Sequence, residues 1–173
     1  MGKIAKKDSK LSAHEREAPH SHLIQGIFPV IFIFVSLMDS VFLNWTTQLN
    51  DIVPFLYRFI LFSIFLTLAF FLIRLSHTAI FNKDHASEEL ITEGIFKYVR
   101  NPMYLGVFFI YIAFIFFSIS LLSVIVFVGI IFTYNWMVKY EEQILEELFG
   151  DKFRKYKETT PRWIPQLFSS KFH

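Results

Sequence analysis

The chain has 173 residues, of which 54% are hydrophobic and 23 are phenylalanine. A soluble domain of this size could not bury so much apolar surface, so the composition indicates a single membrane-embedded domain. A formal net charge of +2 gives no reason to expect a nucleic-acid partner, and the absence of cysteine excludes disulfides, thiolate metal sites and cysteine nucleophiles.

The first segment, residues 1–22, is polar and rich in lysine. This composition predicts a flexible basic tail, followed by a membrane domain over residues 23–173. Histidines occur in the tail and in the central loop, but they lack the spacing of a ligand set, so no metal site is predicted.

Apolar segments follow one another along the rest of the chain, and a membrane helix needs about 20 such residues. The apolar stretch from Pro102 to about Val138 is too long for one span, and Ser118–Ser123 marks a tight turn within it. We therefore predict an all-α bundle of about four spans, the last two forming a C-terminal hairpin. The predicted spans are residues 23–43, 54–75, 102–118 and 121–140.

Amphipathic helices are predicted after the hairpin, with apolar residues at helical spacing and glutamates opposite them. Gly150 suits the end of the first of these helices and Asp151 the start of the second.

Lysine and arginine occur in the tail, in the 76–101 loop and after the last span, but not in the 44–53 loop. By the positive-inside rule, both termini and the central loop are cytoplasmic. Asp39 and Arg58 lie within predicted spans and are expected to form an ion pair.

A polar, basic stretch runs from Gly94 to Gly106 between the apolar segments. Asn101 and Pro102 are typical of a helix start, and this alone explains their presence. The free amides of that helix start, beside Arg100, would also attract a carboxylate or phosphate. The hairpin returns the chain to the same face at Glu141-Glu142, an acidic pair typical of a solvated surface or of a group that meets a cation or a ribose.

Together these segments resemble the isoprenylcysteine carboxyl methyltransferase family, in a wider group with membrane phospholipid methyltransferases. The resemblance covers residues 81 to 165: Leu90 to Gly106, the apolar hairpin, Glu141-Glu142, and then Phe149-Gly150, Phe153, Tyr156 and Pro165. It implies an integral membrane methyltransferase that uses S-adenosyl-L-methionine. The cofactor segments would be 81–106 and 135–165, at the cytoplasmic ends of the last helices.

The resemblance also implies the site residues. Glu141 and Arg100 are predicted to be catalytic. The predicted cofactor-binding residues are Glu88, Glu89, Leu90, Ile91, Phe96, Asn101, Pro102, Met103, Tyr104 and Glu141.

The predicted acceptor is lipophilic or lipidated and resembles an isoprenylcysteine carboxylate, with the bilayer as the other partner. The isoprenylcysteine enzymes carry an arginine before the acidic pair, where this chain has Asn135, Trp136 and Met137. A phospholipid amine or a small thiol therefore stays open as the acceptor. A small membrane transporter or a non-catalytic membrane protein is the alternative from another class, since Asp39, Arg58 and Asn135 are polar residues within spans.

Overall fold

The structure, a computed structural model, describes residues 21–81 and 90–164. Of the predicted tail, only Ser21 and His22 belong to the described residues, and they begin the first helix. In this part of the chain the regular structure is entirely helical, which confirms the predicted all-α class. The α-helices are α1 (Ser21–Leu37), α2 (Phe55–Phe81), α3 (Pro102–Ser118), α4 (Leu121–Phe149) and α5 (Asp151–Thr159).

Three helical segments are long and apolar enough to cross a membrane: Leu23–Leu43, Phe55–Ile80 and Leu121–Phe149. The first of them includes a π-helix, Met38–Leu43, that continues α1. The remaining predicted span is α3, whose bounds match the predicted 102–118 and whose 17 residues make it the short helix expected. A membrane helical bundle is therefore the fold class.

The chain divides into two compact units. Of the described residues, unit 1 contains 72–81, 90–103 and 137–164, and unit 2 contains 21–71 and 104–136.

Unit 2 contains residues 104–136, which are most of α3, the start of α4 and the turn of Ile119 and Ser120 that joins them. Ile119 has φ of +42°, and the hydroxyl of Ser120 accepts a hydrogen bond of 3.1 Å from the amide of Ser123. This bond caps the start of α4, so the predicted tight turn is confirmed. Aromatic rings fill the interior of the unit, with the rings of Phe32 and Tyr111 4.9 Å apart.

Asp39 is fully buried in unit 2, and its carboxylate binds the chain that follows the π-helix. It accepts hydrogen bonds of 3.1 Å from the amides of Trp45 and Thr46 and one of 2.5 Å from the hydroxyl of Ser120. The predicted ion pair with Arg58 is therefore wrong, because backbone amides and hydroxyls occupy this carboxylate instead.

Unit 1 contains the C-terminal ends of α2 and α4 and the whole of α5. Its core side chains are almost inaccessible to solvent: Val99, Met137, Val138 and Phe153 are 0 to 1% exposed. Gly150, with φ of +53°, turns the chain between α4 and α5, as the sequence predicts for a glycine at a helix end. The acidic pair lies within the continuous helix α4.

Candidate functional site

A short 3₁₀ turn, Gly94–Lys97, leads the chain of unit 1 towards α3. Gly94 opens this turn with φ of +63°, a conformation that favours glycine. Arg100 and Asn101 follow, and α3 begins at Pro102, as the sequence predicts. The turn therefore delivers two polar side chains to the start of α3.

Glu142 binds both of these side chains and also Arg162. Glu142 is only 4% exposed to solvent. Its carboxylate accepts hydrogen bonds from Arg100 Nε at 3.0 Å and from Arg162 Nη2 at 2.5 Å. The amide Nδ2 of Asn101 lies 3.4 Å from the same carboxylate. We call Glu142, Arg100, Arg162 and Asn101 the Glu142 cluster. With two guanidinium groups and one carboxylate, its formal charge is +1.

Arg100 has further acceptors within the protein. Its Nη1 donates to the carbonyls of Lys157 at 3.1 Å and Thr160 at 2.5 Å. Its backbone amide donates to the carbonyl of Pro161 at 2.9 Å. Arg100 therefore joins the segment before α3 to the end of α5, which is the role of a positioning residue.

The hydroxyl of Tyr156 makes a second connection from α5, donating to the carbonyl of Phe96 at 2.6 Å. Burial raises the pKa of the Tyr156 phenol above its ordinary value. The charge of Arg100 lowers this pKa and that of Glu142 raises it, so the neutral phenol is the form that the folded protein favours. A neutral phenol keeps its proton and continues to donate to Phe96.

On the surface, α4 and α5 are joined by Glu146, which binds Lys157 Nζ at 2.9 Å and Arg154 Nε at 3.0 Å. The Arg154 side chain is 61% exposed, so this pair adds little to stability.

A cleft of about 270 Å³ opens beside the Glu142 cluster. Apolar and aromatic side chains form most of its wall, and Arg100, Asn101 and Glu142 supply the polar part. This combination is typical of clefts that bind small molecules. The lining residues are Ile80, Leu90, Ile91, Phe96, Arg100, Asn101, Glu142, Leu145, Phe149, Phe153 and Tyr156.

Four of the predicted cofactor-binding residues line this cleft: Leu90, Ile91, Phe96 and Asn101. The predicted catalytic residue Arg100 also lines it. Two segments distant in sequence are thereby brought together, since the wall also includes residues of α4 and α5.

The other predicted residues lie elsewhere. Pro102 is buried and Met103 is 37% exposed, and neither is among the described lining residues. Tyr104 belongs to unit 2, where its hydroxyl accepts a hydrogen bond of 3.5 Å from Gln25. Glu88 and Glu89 lie outside the described residues.

Glu142, and not the predicted Glu141, is the member of the acidic pair that lines the cleft. Glu141 is half-buried one position earlier in α4. Successive side chains on a helix point about 100° apart, so only one of two neighbours can face a given cavity. A usable signal was present, because Glu142, Leu145 and Phe149 are spaced three and four residues apart and share one helix face.

Ile80, Phe153 and Tyr156 also line the cleft without having been predicted as site residues. Within residues 21–81 and 90–164, no group of three histidine, aspartate or glutamate side chains is arranged to hold a metal ion.

Two comparisons with known proteins bear on this geometry. The family model described as phospholipid methyltransferase matches residues 54–152, from the residue before α2 to the start of α5. The chain is also 32% identical over 87 residues to a protein of Schizosaccharomyces pombe named protein-S-isoprenylcysteine O-methyltransferase. That similarity covers 50% of this chain and 36% of the yeast protein, so the chain matches little more than a third of its relative's length.

The family match includes the apolar helices α2, α3 and α4 and most of the cleft wall. With three helices long and apolar enough to cross a membrane, the protein is an integral membrane protein. The chain belongs to the phospholipid methyltransferase family.

Proposed function

We propose that this protein is an S-adenosyl-L-methionine-dependent methyltransferase that transfers a methyl group to a lipophilic acceptor. The observation that carries the proposal is the cleft beside the Glu142 cluster. Four residues that the family resemblance assigns to the cofactor form part of its wall, and the wall lies largely within the region that matches the methyltransferase family.

The chemistry of the wall fits the proposed cofactor. S-adenosyl-L-methionine combines an aromatic base, a cationic sulfonium and an amino-acid end. Phe96, Phe149 and Phe153 offer aromatic faces on which a base can stack or a cation can lie. Asn101 offers both a donor and an acceptor for the polar end.

The charge of the Glu142 cluster suits one part of this cofactor in particular. Both oxygens of the Glu142 carboxylate already accept hydrogen bonds from guanidinium groups, so this side chain is poorly suited to pair directly with a sulfonium. The net charge of +1 instead favours the carboxylate at the amino-acid end of the cofactor.

When bound, S-adenosyl-L-methionine supplies a methyl group activated by the positive sulfur. The reaction needs in-line approach of the acceptor and little acid–base chemistry, and loss of charge at sulfur makes a dry site favourable. Leu90, Ile91 and Leu145 would exclude water, and the Glu142 cluster would hold the polar end in place.

The two predicted catalytic residues take different roles in this proposal. Arg100 acts as a positioning residue, because Glu142 and two backbone carbonyls already engage its guanidinium. Glu141 does not line the cleft, so its role as the carboxylate that orients or neutralises the cofactor stays a prediction, which the variant Glu141→Gln tests.

The acceptor is proposed to be an isoprenylcysteine-like carboxylate, after the name of the yeast relative. A phospholipid amine is the second candidate, and the description of the matching family favours it. The active site is proposed to be cytoplasmic, together with both termini, since the central loop carries lysine and arginine and the 44–53 loop carries none.

The experiment is methyl transfer from labelled S-adenosyl-L-methionine to a total membrane extract by the purified protein. The labelled product is isolated and treated with base. A base-labile label would indicate a methyl ester, and a stable label in the lipid fraction would indicate an amine or thiol acceptor. Calorimetry of the purified protein with the cofactor is run in parallel, and complete absence of binding would contradict the proposed function.

A further inference from the structure

Unit 2 contains a second cleft, of about 310 Å³, that the proposed reaction does not use. We call it the Arg58 cleft. Its wall is largely apolar and comes from α1 and its π-helical continuation, from the start of α2 and from the end of α3. The residues that matter here are Phe32, Phe55 and Phe117 in the apolar wall, with Arg58 and Ser40 beside them.

Arg58 brings a positive charge to this cleft without a carboxylate partner among the described residues. Its Nη1 donates to the carbonyl of Phe117 at 3.2 Å and to the side-chain oxygen of Asn50. Its guanidinium carbon also lies 5.6 Å from the centre of the Phe55 ring. These contacts orient the guanidinium but do not neutralise it.

Two buried polar atoms of the cleft have no hydrogen-bond partner in the described part of the chain: Nε of Arg58 and Oγ of Ser40. Buried donors are normally satisfied, so each of them indicates a missing acceptor. A guanidinium with Nε free and Nη1 held is suited to accept one more oxyanion, because its donors form a rigid fork.

The position of the cleft along the helices indicates what kind of oxyanion. Arg58 lies in the first turn of α2 and Ser40 in the π-helix that ends the first apolar segment, while Phe117 is the next-to-last residue of α3. Ends of apolar segments lie where the hydrocarbon core meets the headgroup layer, which is where lipid phosphates are found. Phe32, about two turns before Ser40, continues the apolar wall towards the hydrocarbon core.

We infer that the Arg58 cleft binds an anionic phospholipid. An acyl chain lies against the phenylalanine wall, and the phosphate accepts hydrogen bonds from Arg58 and from the Ser40 hydroxyl. Charge complementarity selects an anionic headgroup. A cationic amine would be repelled by Arg58, and no carboxylate among the described residues lies within ion-pair distance of Arg58 to compensate. The lipid is a bound ligand and not the methyl acceptor, so the inference does not depend on the proposed reaction.

The test measures lipid binding by native mass spectrometry of the full chain in neutral detergent. Phosphatidylglycerol and phosphatidylcholine with identical acyl chains are the probes. Wild type is expected to prefer phosphatidylglycerol, and Arg58→Gln is expected to lose about tenfold in affinity for it, the scale of one charge-assisted hydrogen bond. Ser40→Ala should lose a few-fold, and Arg58→Lys should recover part of the preference.

Arg74→Gln is the matched control, because Arg74 lies on the same helix, is exposed and does not line this cleft. Equal loss in both arginine variants, or equal affinity of wild type for the two lipids, would overturn the inference.

Arg58 also holds Asn50 and the end of α3, so Arg58→Gln can fail to fold. For that case, wild type is cross-linked with phosphatidylglycerol that carries a photoreactive group in its acyl chain. Labelled peptides are expected to contain residues 32–41 or 114–118. Label spread evenly over the apolar surface of α2 would overturn the inference.

Discussion

Arg100 and Glu142 form a buried ion pair in which Nε lies 3.0 Å from Oε1, although 42 positions separate the two residues in sequence. Arg162 binds the other oxygen of the same carboxylate at 2.5 Å. One side chain of α4 therefore holds the segment before α3 and the segment after α5. The proposed cofactor cleft depends on this arrangement, because the same contacts keep its walls together.

Glu142→Gln is expected to destabilise the protein by about 3 kcal/mol. The substitution leaves two guanidinium groups without their counter-charge, and the side chain of Arg100 is only 10% exposed. The measurement is the thermal unfolding midpoint in detergent. A midpoint equal to that of wild type would show that the cluster contributes nothing to the fold.

Glu141→Gln is the matched variant, one position earlier on α4. We expect it to lower stability less than Glu142→Gln does, since Glu141 is half-buried whereas Glu142 is buried. Because Glu141 is the carboxylate predicted to orient the cofactor, Glu141→Gln is expected to weaken binding of S-adenosyl-L-methionine in calorimetry. Unchanged affinity with unchanged stability would remove Glu141 from the proposed site.

Asn101→Ala is expected to raise the dissociation constant for S-adenosyl-L-methionine about tenfold, because one polar contact of the cleft is lost. Its hydrogen bond to Glu142 is long, at 3.4 Å, so the loss of stability should be small. Gln143→Ala removes a similar amide from an exposed position on α4 and serves as the control. Equal cofactor affinity in the two variants would argue against a role for Asn101.

Tyr156→Phe is expected to cost about 1 kcal/mol, the usual contribution of a hydrogen bond, because the carbonyl of Phe96 loses its donor at 2.6 Å. In a protein of this size the unfolding midpoint should fall by about 2–4 °C. Tyr98→Phe removes a hydroxyl from a tyrosine that is 47% exposed and should leave the midpoint unchanged. A similar fall in both variants would mean that the hydrogen bond from Tyr156 to Phe96 contributes nothing measurable to stability.

The raised pKa of Tyr156 predicts a loss of stability in alkali. The unfolded chain ionises near the ordinary tyrosine pKa of about 10, whereas the folded protein keeps the phenol neutral. Stability from this group is therefore complete below about pH 10 and is lost as the pH rises towards the folded pKa. Between about pH 10 and 11.5, the unfolding midpoint of wild type should fall more steeply than that of Tyr156→Phe. Parallel curves would contradict a raised pKa.

Gly150→Ala is expected to destabilise the protein by about 2 kcal/mol, since φ of +53° and ψ of −125° suit only glycine. No atom lies within 4 Å of the added methyl group, so the cost is one of backbone conformation and not of steric contact. Gly129→Ala, within α4, also meets nothing within 4 Å and should be neutral or stabilising by up to about 1 kcal/mol. Thermal unfolding of the two variants side by side tests the difference, and equal midpoints would contradict it.

Local patterns in the sequence predicted much of the fold. The bounds of α3, the start of α4 at residue 121 and the turn at Gly150 all follow from apolar runs and from glycine and proline positions. Such signals are readable because each depends on a few neighbouring residues. The ion pair expected between Asp39 and Arg58 was wrong for the opposite reason. The sequence places both residues within spans, but it does not show that loop amides and the Ser120 hydroxyl donate to the Asp39 carboxylate instead of Arg58.

By itself, then, the sequence determined a helical membrane protein with a polar segment at Leu90 to Asn101 and an acidic pair at the far end of a hairpin. Composition and periodicity are local properties, and the burial of apolar residues in lipid follows from them directly. Only the tertiary structure decided that Glu142 and not Glu141 faces the cleft, and that Arg100 and Arg162 share its carboxylate. These choices depend on the rotation of α4 and on contacts between residues 20 and 42 positions apart, which packing alone determines.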